Sequence, residues 1–204
     1  MNLSALTQEI FKSIPQAIVP DQQDGLLIKK HNHLLMTYES ALVTGFYDAV
    51  YGDDNLKDSL SAEERKAREQ TLRQWYQVSM MGNFDEHYWK WQTFVGIVHV
   101  KHKISNAAML GMWGWMMSFL QERLLQDLET AEAIKVLAVL QKLQAVVSSL
   151  TVESFITTQK NAIHMASGLN GAILERLIST EIDQMLIKAR EELMGAESSQ
   201  QMAA

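Results

Sequence analysis

The only prolines are Pro15 and Pro20, so every later position lacks the one residue that cannot continue a helix. Glycine is sparse as well, with 10 in 204 residues. A β-sandwich or barrel needs a turn every few residues, and Gly and Pro supply most of them. The chain is therefore expected to be all-α.

Other classes fall away on composition. Cysteine is absent, which excludes disulfide scaffolds, thiol catalysis, zinc–cysteine sites and iron–sulfur clusters. Apolar residues make up 47%, enough for a substantial core. With 18 basic and 24 acidic side chains the net charge is −6, which argues against a nucleic-acid partner. Residues 1–20 lack the basic-then-apolar order of a signal peptide. The longest uncharged run, Ile104 to Gln121, contains Ser105, Asn106 and Ser118. A spanning helix wants about twenty predominantly apolar residues, so a buried helix is the better reading. Cytoplasmic placement is expected.

The pattern divides the chain into residues 1–20, a short N-terminal helix or extension; 21–155, the main helical domain; 156–195, a C-terminal helical extension; and 196–204, a disordered tail. Residues 21–52 read as one longer helical pattern. Gly52-Asp53-Asp54-Asn55 marks a turn, and Ser61 to Glu64 marks a helix start. Asn83 reads as an N-cap with Glu86 three residues on, and Ser105 opens the next helix. Val136, Leu140, Leu143, Val147 and Leu150 repeat with 4-3-4-3 spacing, the seam of a helix bundle.

His99 stands out among the six histidines. It lies in Phe94-Val95-Gly96-Ile97-Val98-His99-Val100, an apolar stretch of helix, and Gly96 is three residues before it. A glycine there is expected to leave space beside the imidazole for something flat. An uncharged histidine on an apolar face next to a gap is what a haem iron ligand requires, although a satisfied core histidine has the same pattern. No zinc-protease, serine-hydrolase, P-loop or dinucleotide-binding signature is present, and no pair of Glu-x-x-His helices suggests a di-iron site.

Val95-Gly96-Ile97-Val98-His99-Val100-Lys101-His102-Lys103-Ile104 resembles the proximal-histidine segment of globin-coupled sensors and protoglobins. Upstream, Phe46-Tyr47 resembles the family's distal Phe-Tyr pair, and Arg73-Gln74-Trp75 its Arg/Trp helix. The pieces come in the family's order over roughly residues 20–155.

The resemblance implies a globin-like fold with an extended C-terminal helix, dimeric through a four-helix bundle. It implies that His99 is the axial ligand of haem b iron and that Tyr47 donates to gas on the other face. Leu72 and Arg68 would lie nearby on that side. Trp91, Val95, Val98 and Met109, with Gly96, would complete the haem-binding wall. Lys101, His102 or Lys103 would meet a propionate. Tyr38 and Tyr51 are alternative distal tyrosines, and His31 or His33 an alternative second ligand. One departure is local: the family usually carries Gly in the turn after the ligand, where this chain has Lys103-Ile104-Ser105.

The function implied is a haem-based sensor of oxygen, carbon monoxide or nitric oxide, acting on a separate partner protein. The apolar surplus of 107–120 and the seam at 136–150 are expected to form the dimer bundle. Two alternatives stand beside it. One is a haem-free globin-fold signalling module, and the other a haem enzyme with incidental nitric oxide or peroxide chemistry.

Overall fold

A computed structural model describes residues 2–54, 62–168 and 170–201, with side chains described for 2–54, 63–168 and 170–194. Every regular element among them is helical. In chain order these are α1 (Leu3–Ser13), α2 (Gln22–Lys30), α3 (Asn32–Thr37), α4 (Glu39–Gly52), α5 (Arg65–Met80), α6 (Glu86–Lys101), α7 (Asn106–Asp127), α8 (Thr130–Ser167) and α9 (Gly171–Gln201). Two short 3-10 turns, Gln16–Ile18 and Ala62–Glu64, precede α2 and α5.

The prolines act as expected. Chain between α1 and α2 breaks at Ile14, Pro15 caps the first 3-10 turn, and Pro20 precedes the Asp21 cap of α2. Asp21 and Asp24 form a reciprocal capping box there. The single pattern read over 21–52 is three helices instead. Backbone at His31 leaves helical geometry (φ −97, ψ 8), and Tyr38 joins α3 to α4. Side chains outside the segment hold these corners. His31 Nε2 lies 2.9 Å from Glu132 Oε1, and the Tyr38 hydroxyl donates to Asp127 Oδ2 at 2.7 Å. Apolar periodicity continues across both corners because each short helix buries its face in the same core.

The cap of α6 is also displaced from its expected place. Asp85, not Asn83, accepts from the Tyr88 N–H at 2.8 Å. Ser105 caps α7 as expected, accepting from Ala108 N–H. Asn55 and Ser61 of the expected turn and helix start lie outside the described residues.

Residues 1–158 form one compact unit. Its core gathers Leu35, Leu42, Tyr76, Met80, Leu120 and Leu124, all essentially inaccessible. The expected seam runs through the same core. Val136, Leu140, Leu143, Val147 and Leu150 are each 3% exposed or less. That corrects their assignment to a dimer bundle, since the monomer already covers them. Arg73 of α5 pairs with Glu39 of α4 at 2.6 Å. Across α1 and α6, the Thr7 and Thr93 hydroxyls meet at 2.9 Å, and Phe11 packs edge-on against Trp89.

Residues 159–204 form the second unit. Gly168 turns the chain at φ +66, and Lys160 pairs with Glu175, so α9 folds back beside the end of α8. Ile173, Leu177, Ile182, Met185 and Leu186 of α9 are exposed. Helix continues through the expected tail as far as Gln201.

Among the described residues, α8 alone is long and apolar enough to cross a bilayer, and half of its most apolar window is buried inside the protein. The run Ile104–Gln121 does not make α7 such a helix.

Candidate functional site

A cavity of about 780 Å³ opens between α4, α5, α6 and α7, with α8 closing its inner side. Eight of the nine residues that the resemblance places around a haem line it: Tyr47, Arg68, Leu72, Trp91, Val95, Val98, His99 and Met109. Helical spacing explains the proximal wall. Residues 91, 95, 98 and 99 recur at intervals of three and four, so one stripe of α6 faces the cavity.

Gly96 is the exception. It does not line the cavity. A Cβ built on it would stand 2.0 Å from Ser154 Oγ and 2.4 Å from the Thr151 carbonyl oxygen, both on α8. The glycine therefore lets two helix backbones meet, and the expectation that it clears space for a flat group is corrected. On the helical wheel Gly96 falls beyond His99, on the flank of the stripe that faces the cavity.

His99 sits in the last turn of α6. Burial, then the nearby charges of His102 and Arg68, push its pKa down to about 4, so the imidazole is neutral at ordinary pH. Its Nδ1 is buried without a hydrogen-bond partner. The backbone beyond it is fixed by a Schellman turn. Ile104 N–H donates to the His99 carbonyl at 3.0 Å and Lys103 N–H to the Val100 carbonyl at 3.2 Å. Lys103 adopts φ 55, the left-handed conformation that glycine occupies without strain. The residue that departs from the family pattern thus still performs the glycine's turn.

Tyr47 reaches the cavity from α4, packed edge-on against Phe46. Burial pushes its pKa up to about 12, which keeps the hydroxyl protonated and able to donate. Tyr38 is committed to Asp127, and neither it nor Tyr51 lines the cavity. His31 is engaged with Glu132 and also lies outside the lining, as does His33.

Charge is confined to one end. Glu64, Arg68, His102 and Lys103 line the cavity there, with Arg68 bonded to Glu64 at 2.7 Å. Lys101 is not part of the lining. Most of the remaining lining is apolar, and Gln92 within it is completely buried. Its Oε1 accepts from the Trp75 indole N–H at 2.9 Å, and its Nε2 has no partner. Sequence reasoning missed Gln92. The signal was available, because it falls seven residues before His99, close to the same helix face.

Among the described residues no group of three or more His, Asp or Glu side chains could hold a bare metal ion. His99 is a lone neutral donor in an apolar slot. That suits a flat macrocycle bringing its own nitrogen donors, with its carboxylates at the Arg68 end.

A protoglobin family model matches residues 16–161. The chain belongs to the protoglobin family. The matched range spans the elements from the first 3-10 turn into α8, and so includes every residue of the cavity. Among solved structures, this protoglobin is similar in fold to the globin domain of a Geobacter sulfurreducens globin-coupled sensor. The TM-score is 0.59 at 18% identity, covering 66% of this chain and 90% of that one. No curated protein matches the chain.

Proposed function

We propose that this protoglobin is a haem-based gas sensor. The observation that carries the reading is His99, a half-buried, neutral side chain facing a largely apolar cavity that Tyr47 also lines. His99 would hold haem b through iron. Trp91, Val95, Val98, Leu72 and Met109 would pack on the macrocycle, and Arg68, His102 and Lys103 would meet its carboxylates. When bound, haem would supply an iron able to bind oxygen, carbon monoxide or nitric oxide. Tyr47 would donate a hydrogen bond to the bound gas, stabilising partial negative charge on it. Apolar walls exclude water from that face.

In this reading the protein works in the cytoplasm as a homodimer and signals to a separate protein. The 136–150 seam is unavailable for the dimer contact, so a second copy would use the outward faces of α7 and α8. Leu110, Leu125, Ile134 and Ile156 are exposed there and suit that use.

The test is an absorption spectrum of protein expressed with haem supply: ferric, dithionite-reduced, then under carbon monoxide. A Soret band that moves at each step, and that is lost or reshaped in His99→Ala, is expected. A spectrum with tryptophan absorption alone, and no uptake on haem titration, overturns the reading.

A further inference from the structure

Two of the unpartnered polar atoms stand on either side of one short turn. His99 Nδ1 belongs to the last turn of α6, and Asn106 Oδ1 to the first residue of α7. Both atoms are buried. On an imidazole, Nδ1 becomes a donor whenever Nε2 is the nitrogen that binds. An amide oxygen is an acceptor. The turn between the helices therefore separates a donor without an acceptor from an acceptor without a donor.

We propose that Asn106 is the positioning residue for His99: with the pocket loaded, its Oδ1 accepts a hydrogen bond from His99 Nδ1–H. The inference rests on the haem reading above.

Beyond the unpaired atoms, two observations carry it. Asn106 stands between Ser105 and Ala108, both of which line the cavity with Met109, so it lies on the flank of that face. The intervening turn is strained, because Lys103 takes φ 55 without being glycine. Two buried unsatisfied groups gain from any adjustment of that turn that lets them pair. Loading supplies the trigger. Engagement of Nε2 by a metal fixes the Nδ1–H tautomer and makes that N–H a stronger donor. Pairing would draw the start of α7 toward the end of α6. It would also raise the basicity of the ligand nitrogen, strengthening its bond to iron.

The decisive measurement is resonance Raman spectroscopy of the ferrous, gas-free holoprotein, reading the iron–histidine stretching band. Wild type is compared with Asn106→Leu, which has no acceptor, and Asn106→Asp, whose charged acceptor pulls harder on the proton. The expected result is a lower frequency in Asn106→Leu and a higher one in Asn106→Asp. The same frequency in all three overturns the proposal while leaving the haem reading intact. A wild type that takes up no haem overturns both. Circular dichroism checks folding, and if Asn106→Leu fails it, Asn106→Asp decides alone: an upward shift supports the pairing and an unmoved band overturns it.

Discussion

The indole N–H of Trp75 donates to Oε1 of Gln92 at 2.9 Å, joining α5 to α6 inside the protein. That bond fixes the orientation of the amide, since only its oxygen can accept. The NH2 group is left buried and unpaired. Trp75→Phe removes the donor and strands the oxygen as well, which is expected to destabilise by about 1–3 kcal/mol. Gln92→Leu added to Trp75→Phe removes the stranded groups and is expected to recover much of the loss. Urea unfolding of the two single variants and the double variant closes the cycle.

Gly96→Ala is expected to destabilise by about 1–3 kcal/mol through overpacking. Its new methyl meets Ser154 Oγ at 2.0 Å and the Thr151 carbonyl oxygen at 2.4 Å. Ser154→Ala in the same background clears the hydroxyl but not the carbonyl, so rescue should be incomplete. Full rescue in a thermal melt would place the obstruction at the Ser154 hydroxyl alone.

Lys103→Gly is expected to stabilise by about 1 kcal/mol, because φ 55 costs a lysine free energy that glycine does not lose. For a domain of this size that is a rise of about 2–4 °C in melting temperature. A fall would show that the Lys103 side chain contributes more than its backbone loses.

The pH dependence of haem-free protein follows from His99. Its folded pKa, about 4, lies below its ordinary value of 6.5. Between those values the unfolded chain binds the extra proton, so stability rises with pH there. The contribution is complete above pH 6.5 and is lost as pH falls through about 4. Its full size is on the order of 3 kcal/mol. Across that window the urea midpoint of wild type should fall further with acidification than that of His99→Phe. Parallel curves would assign the dependence to other groups.

Tyr47→Phe keeps the ring and deletes the donor. In the haem-loaded protein, oxygen release should accelerate by about 10- to 100-fold, the range expected for losing one hydrogen bond to a charged acceptor. Carbon monoxide, a poorer acceptor, should be released at nearly the wild-type rate. Stopped-flow measurements of both gases separate a lost hydrogen bond from a general opening of the pocket.

Much of this architecture was legible in residue order. The absence of proline after Pro20 led to an all-helical fold, and the resemblance around His99 led to residues 91, 95, 98 and 99 on one wall. Three features were not legible, each for a physical reason. Helix corners at His31 and Tyr38 interrupt no apolar pattern, because tertiary partners hold them. The 136–150 seam reads alike whether it meets another copy or its own core. Gly96 pairs by spacing with His99 yet packs on α8, since periodicity does not say which neighbour a face meets. Gln92 and Asn106 were passed over because uncharged amides carry no pattern until burial shows which of their atoms lack partners.

Contact between Gly96 and α8 has one more consequence. Side chains soften most helix interfaces, since a rotamer can yield before a backbone moves. Here α6 stands against the Ser154 hydroxyl and the main chain of Thr151, one turn from His99, with no long side chain between. A movement of α6 toward α8 at this point therefore meets main chain after only a short hydroxyl side chain.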